Sequence, residues 1–261
     1  MGHGKLAKFA EMETFPNVVQ ETPSLQGGGP LPPSPMQGQW VDFFEKLGTA
    51  CTPSRALVLE LGCGRGEYTV GLARRFPEKN FIGVDIKGAR MWHGARQALE
   101  ERLANAAFLR THIEFIDRFF KPGEVAEIWL TFSDPQMKKP SKRLTSSFFL
   151  ERYRRILADG GLVHLKTDSN FLFTYTLEML RANHLEPEFQ TDDIYNKPCD
   201  SVLREVRTYY EQMWLDRGIP IKYLRFHLPQ EGTLVEPDVE IPLDEYRSYN
   251  RHKRSAKETG R

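Results

Sequence analysis

LVLELGCGRGEY (Leu57–Tyr68) opens with an aliphatic run of strand length, reaches the acidic Glu60, and turns through Gly62, Gly64 and Gly66 into a segment of helical character. Glycines at this spacing permit a tight turn and let a ligand approach the backbone closely. A dinucleotide site prefers its third glycine one place later, where this chain has Glu67, and Glu60 would set negative charge beside a pyrophosphate. A second strand, NFIGVD, ends at Asp85, suitably far downstream for a carboxylate that accepts the two hydroxyls of a ribose. S-adenosylmethionine meets both demands: it carries a ribose, no phosphate, and cationic ammonium and sulfonium groups that an acidic pocket attracts. The plainer reading of the loop alone is a structural turn, and the placement of Glu60 and Asp85 weighs against it. Cys63 reads as a small buried filler, with no His beside it in sequence to make it a nucleophile.

From Ala56 onward, short aliphatic or β-branched runs alternate with longer amphipathic stretches, the pattern of a parallel α/β sheet with helices on both faces. Seven strands are expected, near Ala56–Leu61, Asn80–Val84, Ala106–Arg110, Ala126–Phe132, Gly161–Lys166, Glu186–Gln190 and Ile221–Leu228. Helices are expected over Glu67–Phe76, Gly88–Leu103, Thr145–Ala158, Phe171–Asn183 and Leu203–Asp216. The Gly- and Pro-rich segment Glu21–Gln39 forms neither. It divides the chain into an amino-terminal arm and linker (1–39), a main domain (40–229) and a polar, basic carboxyl-terminal extension (230–261).

The 261 residues are 40% hydrophobic, enough for one substantial core. No stretch approaches the roughly 20 apolar residues of a membrane span, and Met1–Glu13 has no apolar centre of a signal peptide. Cys51, Cys63 and Cys199 are far apart and odd in number, which speaks against disulfides and structural zinc. A cytoplasmic chain without metal or membrane partner is the expectation; no oligomeric state can be read from the sequence. A formal net charge of +1 argues against indiscriminate coating of nucleic acid but leaves room for a local basic face.

Two such faces stand out. Lys138, Lys139, Lys142 and Arg143 fall within six residues, and Arg247, Arg251, Lys253, Arg254, Lys257 and Arg261 crowd the tail. The first cluster comes after EIWLTF and Ser133-Asp134-Pro135, where the end of a strand should aim Asp134 into the ligand crevice. An Asp-Pro turn and a solvated charge run are the bland alternatives. HLKTDS sets Lys166, Thr167 and Asp168 at the end of the fifth strand, and REVRTYYEQMW sets Thr208 and Glu211 three apart, on one face of the expected helix. A helix cap accounts for Asp168 as well as substrate contact does. His112, His164 and His227 lack metal-ligand spacing.

Taken together, KLAKFAEMETFPNV, QGQW, LELGCGRGEY, IGVDIKGAR, FSDPQMKKPSKRLT, HLKTD and TYYE resemble the bacterial tRNA (guanine-N7-)-methyltransferase family from about Lys5 to Leu228. The resemblance implies a Rossmann-like class I methyltransferase sheet of seven strands, the last antiparallel. It implies transfer of a methyl group from S-adenosylmethionine to N7 of a guanosine in the variable loop of tRNA. Glu60, Gly62, Gly64, Asp85 and Asp134 would then surround the cofactor, with Asp134 also at the reacting centre. Lys138, Asp168, Thr208 and Glu211 would contact the guanosine or its neighbourhood, and Lys139, Lys142 and Arg143 the RNA. Three features depart from the family: Gln136 stands where Trp is common, THIEF has no evident cofactor carboxylate, and Leu234–Arg261 lies outside the match. The competing expectations are a methyltransferase for another nucleic-acid or small-molecule substrate, and a non-catalytic RNA-binding module on the same fold.

Overall fold

The computed structural model describes residues 3–22, 31–49 and 55–246; Cys51 and the basic tail lie outside them. Its strands are β1 (Val18–Gln20), β2 (Leu57–Leu61), β3 (Asn80–Asp85), β4 (Ala106–Arg110), β5 (Val125–Thr131), β6 (Leu157–Thr167), β7 (Phe189–Thr191) and β8 (Lys222–His227). They form one sheet in the order β1-β4-β3-β2-β5-β6-β8-β7. All neighbours run parallel except β8, which is antiparallel to β6 and β7. The seven expected strands are present. The eighth, β1, comes from the amino-terminal arm and pairs Val18–Gln20 with Phe108–Arg110 on the sheet edge. Three residues are too few to show the period-two alternation that marks a strand in sequence.

Helices α1 (His3–Met12), α2 (Trp40–Leu47), α3 (Glu67–Arg75), α4 (Gly88–Glu100), α5 (Ser147–Ile156), α6 (Asn170–Ala182), α7 (Val202–Glu205) and α8 (Tyr209–Leu215) cover both faces. Leu57, Leu59 and Leu61 of β2 pack with α2, α5 and α6, while Val58 faces the layer of α1, α3, α4, α7 and α8. The pleat sends alternate side chains to opposite faces, so one strand supplies both cores. Each buried Leu or Phe contributes roughly 1.5–3 kcal/mol. By the same alternation Glu60 and Lys166 enter the α3/α7/α8 layer, where both are buried.

One expected helix is corrected. Leu203–Asp216 is two helices, α7 and α8, separated at Val206–Thr208. The carbonyls of Leu203 and Val206, which a continuous helix would pair with amides four residues on, accept instead from Lys166 Nζ at 2.6 and 3.1 Å. Thr208 therefore caps α8 and does not share a helix face with Glu211: its Oγ1 accepts from the Glu211 amide at 3.1 Å.

After β8 the chain runs as a strap without regular secondary structure up to Glu245–Tyr246, which are helical, and polar contacts hold it. Glu236 Oε1 accepts from Ser147 N and Oγ, both 2.7 Å, at the start of α5. Asn183 and Val235 exchange two hydrogen bonds of 2.8 Å. Asp244 Oδ1 accepts from Phe171 N at 3.0 Å, and its other oxygen accepts from Ser169 Oγ, at the start of α6. Acidic side chains from a distant segment thus occupy the amino-terminal ends of two helices, where unpaired amides and the helix dipole favour them.

Candidate active site

The chain order reverses between β3-β2 and β5-β6, and the segments leaving the carboxyl ends of these strands line the crevice that such a reversal opens. The glycine loop leaves β2 with Gly62, Gly64 and Gly66 all at positive φ, 83°, 55° and 74°. Their roles differ. A Cβ on Gly66 would lie 2.6 Å from the Phe108 ring and 3.0 Å from Gly94 Cα, so this glycine lets the loop close onto α4. At Gly62 and Gly64 the nearest atoms to such a Cβ would be 3.9 and 4.0 Å away, which leaves their backbone open to a ligand.

Two carboxylates brace the loop. Asp85 Oδ2 accepts from Gly64 N at 3.0 Å and Oδ1 from Lys87 N at 2.8 Å, so half-buried Asp85 is fixed while each oxygen keeps further acceptor capacity. Glu60 accepts from Thr69 N at 2.8 Å and from the hydroxyls of Thr69 and Thr131. Burial outweighs these hydrogen bonds and lifts the Glu60 carboxyl to about 7. Thr69 and Thr131 escape sequence reasoning, because nothing in their spacing from Glu60 signals contact.

Beyond Thr131 the strand ends at Phe132, whose φ of 50° is rare for a bulky residue. Its amide donates to the Lys166 carbonyl at 2.9 Å, and the turn carries Ser133 and Asp134 out of the sheet. Asp134 is exposed and closes a second turn by accepting from Gln136 N at 3.0 Å, with Gln136 at φ 46°. Strain on both sides of one carboxylate is a feature of functional sites. The hydroxyls of Ser133 and Thr111, at the ends of β5 and β4, are buried without a partner among the described residues. An acceptor at Asp85, open backbone at Gly62 and Gly64, and these two hydroxyls suit a ligand that combines ribose, base and amino-acid groups.

The basic loop splits into three uses. Lys138 and Lys139 are exposed. Lys142, also exposed, pairs with Glu114 at 2.8 Å. Burial raises the Glu114 carboxyl, but the hydrogen bond and charge of Lys142, a backbone hydrogen bond and the nearby His112 together outweigh it, and the net shift is downward. Arg143 turns inward: its guanidinium lies 4.8 and 4.4 Å from the ring centres of Phe171 and Tyr175 and donates to the carbonyls of Gln136 and Met137. It holds the loop from behind and presents little surface to RNA.

On the far side, Tyr209 N donates to Glu67 Oε2 at 3.0 Å, which brings Thr208 and the start of α8 against the glycine loop's helix. Glu211 is fully buried between Lys166 Nζ (2.8 Å) and Tyr195 Oη (2.9 Å). Burial pulls the Lys166 amine below its ordinary range, and Glu211 opposes that shift. Asp168, also fully buried, accepts from Tyr246 Oη at 2.8 Å. The structure thus sets Gly62, Gly64, Asp85 and Asp134 at the carboxyl ends of the neighbouring strands β2, β3 and β5, with Thr208 at the start of α8 beside Glu67, while Glu60, Asp168 and Glu211 are buried.

Known proteins share both the sequence and the fold. The family described as "Putative methyltransferase" matches residues 54–224. A tRNA (guanine-N(7)-)-methyltransferase of Bacteroides fragilis is 57% identical over 262 residues, covering 100% of each chain. The enzyme of the same name from Porphyromonas gingivalis is 54% identical over 94% of this chain and 98% of its own. Among solved structures, a 30S ribosomal A1408 methyltransferase from an uncultured bacterium superposes with a TM-score of 0.52 at 14% identity, over 74% of this chain and 93% of that one, a likeness of fold. On this agreement along its whole length, the chain belongs to the tRNA (guanine-N(7)-)-methyltransferase family.

Proposed function

We propose that this protein transfers a methyl group from S-adenosylmethionine to N7 of a variable-loop guanosine in tRNA, a cytoplasmic reaction. The observation that carries the reading is the meeting, at one strand-end crevice, of a ligand-open glycine loop with Asp85 and a strained Asp134 beside exposed lysines. The name shared by whole-length relatives supports it.

When bound, S-adenosylmethionine supplies an electrophilic methyl group on a sulfonium. Asp85 would hold the ribose, Gly62 and Gly64 would let the cofactor lie against backbone, and Glu60 would keep the loop in shape through Thr69 and Thr131. The N7 lone pair of guanine lies in the ring plane and bears no proton, so no general base is required. Alignment of the reacting groups supplies up to roughly 7–11 kcal/mol. Asp134 would stabilise the positive charge that grows on the purine. Lys138 would orient the base from O6 or a phosphate, with Thr208 on the facing wall. Lys139 and Lys142 would meet RNA phosphate, while Arg143 stiffens the loop that carries them. Asp168 and Glu211, both fully buried, would serve the substrate side by positioning: Glu211 holds α8 through Lys166, and Asp168 holds Tyr246.

Incubation with total tRNA and labelled S-adenosylmethionine, followed by digestion to nucleosides, tests this directly. Labelled 7-methylguanosine is the expected product. Label in another nucleoside would move the reaction to a different atom, and no label with intact cofactor binding would favour an RNA-binding module.

A further inference from the structure

Asp134 sits on a turn that does not hold itself. Its carboxylate accepts from the Gln136 amide, and Gln136 keeps a φ of 46°, a conformation that a residue with a side chain retains only where its surroundings impose it. Arg143 supplies the constraint. Its Nε donates to the Gln136 carbonyl at 3.2 Å and its Nη2 to the Met137 carbonyl at 2.9 Å, so one planar guanidinium grips the two residues after Pro135. Only 8% of Arg143 is exposed, which turns its charge away from a polyanion in solution.

The guanidinium is itself seated. Phe171 and Tyr175, four apart on α6, offer rings whose planes differ by 5°, and it lies 4.8 and 4.4 Å from their centres. The strap braces this seat. Tyr175 Oη donates to Glu236 Oε2, while the other oxygen of Glu236 accepts from Ser147 N and Oγ. Further along, Asp244 N donates to the Met137 sulfur at 3.3 Å, and Asp244 Oδ1 accepts from Phe171 N at 3.0 Å. The strap therefore reaches the Asp134 turn twice, once through Tyr175 and Arg143 and once through Met137.

We infer that Arg143 is a positioning residue for Asp134 and that the strap between β8 and Tyr246 is the brace that keeps it in place. The inference rests on the proposed methyl transfer, in which Asp134 stabilises charge growing on the purine. A carboxylate with that task must be fixed, since a displacement of about 1 Å can cost on the order of 10²-fold in rate. It also takes Arg143 out of the set of phosphate contacts that its place in the charge run suggests, and leaves that work to the exposed lysines beside it.

Arg143→Lys tests the role, because it keeps the charge and loses both the fork and the flat face that lies against the rings. Single-turnover methyl transfer per folded molecule should fall by about ten- to a hundredfold. Affinity for tRNA, its salt slope and calorimetric affinity for S-adenosylmethionine should stay parental. An arginine that met phosphate would behave otherwise, since lysine neutralises a phosphate too and transfer would hold. In the Asp134→Asn background the same substitution should cost little further, because the residue it serves is already disabled. Tyr175→Phe keeps the ring and cuts only the link to Glu236, so transfer should fall by about threefold with a near-parental melting curve. Where Arg143→Lys does not fold, Tyr175→Leu, which removes the seat and leaves the arginine, takes its place with the same expected outcomes. Parental transfer in Arg143→Lys, or a loss undiminished in the Asp134→Asn background, overturns the positioning role. Parental transfer in Tyr175→Phe overturns the brace. Formation of 7-methylguanosine by the parent is scored separately, so either failure leaves the proposed reaction standing.

Discussion

The glycine loop and the basic loop face one crevice, yet they are built in opposite ways. Around Gly62–Gly66 every carboxylate is engaged: Glu60 by Thr69 and Thr131, Asp85 by Gly64 and Lys87, and the adjoining α8 is wired to β6 through Lys166 and Glu211. In the basic loop only Arg143 is tucked in, while Lys138 and Lys139 stand in solvent. A small ligand needs fixed donors and acceptors, because its affinity rests on a few well-placed hydrogen bonds. A polyanion is met by long, hydrated side chains whose charge matters more than their rotamer. Rigidity is thus concentrated on the cofactor side and solvated charge on the substrate side.

The most damaging change should strike the wiring. Lys166→Met leaves Glu211 buried without its cation, and removing one partner of a buried pair costs about 3–5 kcal/mol. Urea unfolding should register that loss, and the double variant Lys166→Met with Glu211→Leu should recover part of it. A single variant as stable as the parent would show that α8 does not depend on this pair, and the contrast between the two sides would lose its main support.

Asp134→Asn should come next, and it separates chemistry from architecture. The exposed side chain can still accept from Gln136 N as an amide, so the melting temperature should hold within about 2 °C, a shift of at most about 1 kcal/mol for a domain of this size. Single-turnover methyl transfer should fall by about 10²–10³, corresponding to roughly 2.7–4 kcal/mol of transition-state stabilisation. Normal transfer with reduced stability would turn Asp134 into a loop-shaping residue.

Glu60 gives the cofactor side a pH signature. Its carboxyl is raised from 4.5 to about 7 by burial, so the folded chain holds this proton more tightly than the unfolded one. Stability from Glu60 is complete below about pH 4.5 and is lost as pH rises through about 7, with a ceiling near 3 kcal/mol. Between pH 5 and pH 8 the parent should therefore lose more unfolding free energy than Glu60→Gln, measured by urea denaturation at each pH. Parallel profiles would mean that the carboxyl is not shut away.

Legibility in sequence follows the same division. The glycine loop, Asp85 and the central strands are readable because turn chemistry and hydrophobic alternation are local. The charge run at Lys138–Arg143 is readable as charge, but not the inward turn of Arg143, whose aromatic partners Phe171 and Tyr175 lie about thirty residues on. The break at Val206–Thr208 hides in a helical pattern because its cause, Lys166, is remote. The strap reads as a polar extension, since capping by Glu236 and Asp244 of distant helices leaves no periodic trace.

The smallest expected effect divides the basic loop itself. Lys139 is exposed, whereas Lys142, also exposed, shares its charge with Glu114 at 2.8 Å. An exposed pair of this kind contributes little to stability, so neither Lys139→Gln nor Lys142→Gln should alter folding. Their effects on tRNA should differ. A lysine that neutralises one phosphate adds roughly 0.7–0.9 to the salt slope, so Lys139→Gln should flatten it by about that amount. Lys142 must leave Glu114 to do the same, and losing it frees a carboxylate that repels RNA. Lys142→Gln should therefore weaken affinity at low salt with a smaller change in slope, and adding Glu114→Gln should restore part of that affinity. Equal slopes for the parent and Lys139→Gln would reduce the exposed lysines to a solvated face, leaving the tail as the basic element that meets tRNA.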